Sequence, residues 1–92
     1  MSLETAIDGE DHGYEIKKFI AEQLSLSPEE VLYDSTLGSL GIDSIERIDL
    51  TADLEGKYDF EFSEDYIESV SDETRIRDVI DHIIHSSPKF KL

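Results

Sequence analysis

Ile76-Arg77-Asp78-Val79-Ile80-Asp81-His82-Ile83-Ile84 decides the fold class of this chain. Its apolar residues recur at i, i+3, i+4, i+7 and i+8, with charged or polar residues filling the gaps. That spacing lays one apolar stripe along an α-helix; a strand would need alternation every second residue. Pro88 stops the helix, because it cannot donate the next backbone hydrogen bond.

Working outward, the same logic finds the partners of this stripe. Toward the N-terminus, Ser63-Glu64-Asp65 opens a short helix ending near Ser69, and Asp59 to Phe62 is a connector. A longer helix spans Asp43 to Tyr58, with Asp43 as N-cap and Glu46 three residues on, a capping box. Before it, Asp34-Ser35-Thr36-Leu37-Gly38-Ser39-Leu40-Gly41 reads as a loop whose leucines pack back on the core. Ser25 to Tyr33 holds a turn, with Ser27 as cap, Pro28 at the first position and Glu30 completing a box. The first helix begins at His12 and puts Ile16, Phe19, Ile20 and Leu24 on one face. The expectation is an all-α fold, an antiparallel bundle of three main helices plus one short helix. Residues 1–10 read as a flexible arm, 11–87 as the domain and 88–92 as a tail, with no repeats, hairpin or linker.

Bulk composition narrows the function. Ninety-two residues suit one domain with one modest core. There is no cysteine, and three scattered histidines (His12, His82, His85) offer little for zinc, so no metal site is expected. A net charge of -15 argues against nucleic acid as a partner, since phosphates would be repelled. The apolar content of 38 % is patterned, which separates this chain from acidic disordered ones and suggests basic protein partners. Acids interrupt any apolar run near Met1, and no stretch approaches the roughly 18 to 20 apolar residues needed to span a bilayer. A soluble cytoplasmic monomer is the expectation.

Turning about 100° per residue, Leu50, Thr51, Leu54 and Tyr58 of the second main helix share a core-facing stripe. Ile45, Asp49, Ala52 and Gly56 point largely the other way, with Glu46 and Asp53 at the margin. Two readings fit that face: an ordinary solvated surface with one stray isoleucine, or a docking surface steered by its acids.

Ser44 follows the capping aspartate and falls at the first helical position, behind a glycine-containing loop. A hydroxyl there suits attachment of a phosphodiester, because free N–H groups and the helix dipole favour an anion. A nucleophilic serine hydrolase would need a Gly-x-Ser-x-Gly elbow or a paired base, and Ile42-Asp43-Ser44-Ile45-Glu46 supplies neither.

The run Leu40-Gly41-Ile42-Asp43-Ser44-Ile45-Glu46-Arg47-Ile48-Asp49-Leu50 resembles the phosphopantetheine signature of acyl carrier proteins, a Leu-Gly-x-Asp-Ser-Leu core before an acidic, apolar helix. Lys17 to Leu24 is similar to the family's first helix, Glu29-Glu30-Val31 to the turn after it, and Tyr58 with Asp59 to Phe62 to the stretch closing the second. The resemblance covers roughly residues 14 to 86. It implies a carrier rather than an enzyme. Ser44 would bear 4′-phosphopantetheine donated from coenzyme A by a transferase, and acyl groups would ride on the arm's thiol as thioesters. Asp43 matches the acid that engages the transferase and its magnesium. Ile45, Glu46, Asp49, Ala52 and Glu55 match positions that meet partner enzymes such as an acyl synthetase, ketosynthase or acyltransferase. Ile48, Leu50, Leu54 and Tyr58, with Ile76, Ile80 and Ile83, match the interior that shelters an acyl chain.

The chain departs from the family pattern at several places. Arg47 replaces a small or hydroxylated residue; it reaches either the prosthetic phosphate or solvent, and solvent is the expectation. Thr51 stands for valine on the core face, Ala52 for a larger apolar residue and Gly56 for an acid. The loop before Leu40 is slightly short, and Ser71 to Thr74 slightly long. These changes point from a general fatty-acid role toward a specialised lipid or polyketide pathway. Peptidyl carriers fit poorly, since they show Gly-Gly-x-Ser at the site, whereas D-alanyl carriers share the acidic Asp-Ser pattern and stay open. An acidic interaction or calcium-binding module is the alternative from another class, although no segment supplies an EF-hand loop.

Overall fold

The structure, a computed structural model, describes the backbone of residues 3–90 and the side chains of residues 12–90. Among these, four α-helices carry the fold: α1 Leu3–Gln23, α2 Ser44–Tyr58, α3 Glu64–Ser69 and α4 Ile76–Ser86. No strand is present among the described residues; the one bridge, Thr36 to Arg75, is isolated. The all-α expectation holds.

The isoleucine-rich stripe of α4 is the floor of the core. Ile76, Val79, Ile80 and Ile83 are all buried. Ile16 and Ile20 of α1 and Leu50, Leu54 and Tyr58 of α2 close over them, and α1 packs against both α2 and α4. α3 is short and buries no residue completely. Its start follows from sequence, since Ser63 accepts from the Tyr66 N–H at 3.1 Å as an N-cap.

α1 begins at Leu3, well before His12 where apolar periodicity starts. Once a packed segment has nucleated a helix, each further turn costs little, so the helix extends beyond its buried face. Met1, Ser2 and the side chains of residues 3–11, on which the expected arm falls, lie outside the described residues. At the other end, α4 stops at Ser86, and Pro88–Phe90 forms a single 3-10 turn. Phe90 rests against Tyr58 with ring centroids 5.4 Å apart and against His12 at 4.8 Å. The buried Ser87 hydroxyl donates to the Tyr58 carbonyl. The tail is thereby tied to the end of α2.

The loop before α2 is held from two sides. Leu37 N–H donates to Thr74 O at 2.9 Å and Gly38 N–H to Asp72 O at 2.8 Å, while Ile76 N–H donates back to Ser35 O at 2.9 Å. Leu37 and Ile42 are buried, which fixes the chain immediately before Asp43. No helix among the described residues is long and apolar enough to cross a membrane.

Candidate functional site

Gly41 adopts φ +75°, a left-handed conformation that turns the loop into α2 and that favours glycine. Two residues later, Asp43 caps the helix as expected. Its Oδ1 accepts from the Glu46 N–H at 2.8 Å, and the Glu46 carboxylate accepts from the Asp43 N–H at 3.3 Å. Ser44 is therefore the first residue of α2, and its side chain is exposed. Helix geometry leaves the N–H groups of Ser44 and Ile45 without intrahelical partners, so the local field favours an anion beside the Ser44 hydroxyl. The residues fit a phosphodiester attached there.

Ser44 also stands at the edge of a groove of roughly 430 Å³ between α2 and α3. Leu50 and Leu54 line it from α2, Ile67 and Val70 from the α3 side, and Val79 from α4. Deeper in lies an aromatic stack. Tyr66 faces His82 at 3.9 Å between ring centroids, and Phe62 lies 5.4 Å from each of them. Burial, with Asp78 nearby, pushes the Tyr66 phenol up to about 12, so it stays protonated. Burial, with His85 adding to it, lowers the His82 pKa and keeps that ring neutral.

Arg47 does not extend into solvent. Its guanidinium pairs with Asp72, and its side chain is 24 % exposed. The physical reason lies in the loop: Gly38 holds the Asp72 backbone beside α2, which places a carboxylate within reach. Arg47 Nε and Tyr66 Oη, both on residues that line the groove, are buried and have no hydrogen-bond partner. Thr51 donates its hydroxyl to the Arg47 carbonyl at 2.7 Å, which satisfies it within the helix.

Ile48 is likewise not interior. It is 69 % exposed, and Ile45 is 71 % exposed. The stripe Leu50, Leu54, Tyr58 is centred about 120° around the helix from Ile48, so Ile48 lies outside the core and exposed on the lining of the groove. Ile45 and Ile48 form an exposed apolar pair beside Glu46, Asp49 and Ala52, which are also exposed. Glu55 is half-buried, and its carboxylate accepts from the Phe62 N–H at 2.9 Å. That bond fixes the connector between α2 and α3.

Sequence reading missed the stack of Phe62, Tyr66 and His82, because periodicity within one helix says nothing about which residue of α3 meets which of α4. It also missed Lys17, which is buried with its ammonium 4.8 Å from the Tyr33 ring centroid.

Comparison with known proteins bears on this arrangement. Residues 15–83 match the family described as phosphopantetheine attachment site. An acyl carrier protein of Sulfurovum sp. is 38 % identical over 58 residues, covering 62 % of this chain and 77 % of that protein. The acyl carrier protein of Chlamydia trachomatis serovar L2 is 39 % identical over 70 residues, covering 75 % and 87 % respectively. With the helical bundle and the exposed serine at the head of α2, these matches settle the family: the chain belongs to the phosphopantetheine-binding acyl carrier proteins, and it works as a carrier through a covalently bound arm rather than as an enzyme.

Proposed function

We propose that Ser44 is the attachment residue and that the chain carries acyl intermediates of fatty acid, specialised lipid or polyketide biosynthesis as thioesters. The observation that carries this reading is one exposed hydroxyl, at the first position of α2 and at the mouth of an apolar groove. In the loading step the Ser44 oxygen bonds to the pantetheine-bearing phosphorus of coenzyme A. The pyrophosphate P–O bond breaks, 3′,5′-ADP leaves, and the hydroxyl proton passes to a base on the transferase. Asp43 uses Oδ1 for its cap, which leaves Oδ2 for the transferase's magnesium. The bound arm supplies a thiol, which this cysteine-free chain otherwise lacks.

The exposed strip of Ile45, Ile48, Glu46, Asp49 and Ala52 offers apolar contact inside a ring of carboxylates. It suits enzymes whose docking surfaces are basic. Glu55 lies beside that strip, with one carboxylate oxygen accepting from the Phe62 N–H. The protein acts as a monomer in the cytoplasm and meets its transferase, synthetase, ketosynthase or acyltransferase in turn.

The test is incubation with coenzyme A and a promiscuous phosphopantetheinyl transferase, read by intact mass. One phosphopantetheine should add to the wild type and none to Ser44→Ala. Absence of labelling under conditions that modify a control carrier overturns the assignment. Mass analysis of protein loaded in its native cell identifies the pathway; ordinary saturated intermediates of a housekeeping synthase would count against a specialised one.

A further inference from the structure

We propose that Arg47 is a positioning residue for the prosthetic group, its guanidinium holding the phosphodiester on Ser44; this rests on the reading of Ser44 as attachment residue. Ser44, Arg47 and Thr51 follow the i, i+3, i+7 spacing of one helix face, and all three line the same groove. Side chains on an α-helix lean toward its N-terminus, so the Arg47 side chain covers the turn that begins with Ser44. Its partner draws it the same way. The Gly38 N–H, in the loop that leads into α2, holds the Asp72 carbonyl, and the Arg47 guanidinium pairs with the Asp72 carboxylate. The cation is thereby kept beside the head of α2.

Charge says what that cation is for. A phosphodiester is a full anion at neutral pH, and the side chains around Ser44 are mostly acids: Asp43 before it, Glu46 and Asp49 after it. Arg47 is the only lysine or arginine between Lys18 and Lys57. Asp72 does not use it up. That carboxylate is 75 % exposed, so its pair with Arg47 is screened by water and steers the guanidinium more than it neutralises it. The pair engages Nη2, and Nε is turned into the protein. The terminal Nη groups still carry donors, and a planar guanidinium matches two phosphate oxygens at once. Held at its phosphorus, the arm keeps its free motion for the thiol end.

The experiment loads the full chain with phosphopantetheine and compares unloaded and loaded forms of the wild type, Arg47→Lys and Arg47→Met. Phosphorus NMR reports the phosphodiester directly, and the melting temperature is taken as loaded minus unloaded. In the wild type the phosphorus signal should be shifted and broadened relative to the same protein unfolded in urea. Arg47→Met should move it toward the unfolded position, and loading should then lower the melting temperature by several degrees more than in wild type. Arg47→Lys should retain part of both effects. The Asp72 pair is missing from both forms of Arg47→Met, so the loaded-minus-unloaded difference cancels its contribution. Should Arg47→Met fail to fold, the wild type still decides, because loading should shift the Arg47 Nε–H resonance and added salt should reverse that shift. A phosphorus signal equal in wild type and Arg47→Met overturns the inference, as does an Arg47 resonance that loading leaves unmoved. Failure of Ser44 to accept the arm is a separate result that removes the attachment assignment and this inference with it.

Discussion

Gly41 and Gly56 both face open space, with nothing within 4 Å of an added Cβ, yet alanine should act oppositely at the two. Gly41 holds φ +75°, where an L side chain costs about 1–2 kcal/mol. Gly56 lies inside α2 on its exposed side, where glycine is about 1 kcal/mol worse than alanine. Gly41→Ala should therefore lower the melting temperature by roughly 4–16 °C and Gly56→Ala raise it by roughly 4–8 °C for a domain of this size. Shifts of the same sign would contradict the assignment. Gly38 is a third case, decided by contact: an added Cβ would sit 3.1 Å from both the Cβ and the carbonyl oxygen of Asp72. Gly38→Ala should cost about 1–3 kcal/mol in chemical denaturation and also loosen the Arg47–Asp72 pair, visible as a sharper Arg47 side-chain resonance. Sequence alone marked Arg47 and the Ser71–Thr74 segment as separate oddities. That they meet could not be read from it, because a contact across 25 positions depends on how the loop at Gly38 is held.

Among the elements, α2, α3 and α4 were legible because each carries a cap or a periodic apolar stripe. Asp43 with Glu46, Ser63 with Tyr66 N–H, and the isoleucine stripe of α4 all carry local signals. The start of α1 and the docking of Phe90 had none, since both depend on surfaces contributed by other elements. The groove was half legible: its aliphatic wall follows from the wheel of α2, whereas the Tyr66–His82 stack joins α3 to α4. That stack makes α4 sensitive to acid. Because the folded state lowers the His82 pKa below its ordinary 6.5, the unfolded chain binds the proton more readily. The neutral ring's contribution is complete above pH 6.5 and is lost as pH falls through that value toward the lowered one. His82→Phe keeps the stacking and removes the proton, so its melting temperature should rise relative to wild type between pH 7.5 and 5.5. A pH-independent gap between the two proteins would exclude His82 as the source.

At the scale of the whole molecule, the excess of carboxylates sets the working conditions. Between about 0.01 and 1 M salt the screening length falls from roughly 30 to 3 Å, which removes most of the self-repulsion of a chain at -15. The melting temperature should rise by several degrees over that range, and magnesium should act at lower concentration than sodium. No response to either would mean that the charges are already compensated. The tie at Asp72 has a different kind of consequence. It takes the Gly38 N–H through its backbone and Arg47 through its carboxylate, so the stretch running from Arg47 through α3 leaves and returns to one point. Within that excursion α3 buries no residue completely, which puts it at the weakly held end of the fold. Its outward swing, limited by the Tyr66–His82 stack, is the local opening expected of an element with so little burial while the head of α2 stays clamped. A guest in the groove would then escape at the frequency of that swing, so residence time and affinity become separately adjustable: one through the connectors, the other through the lining.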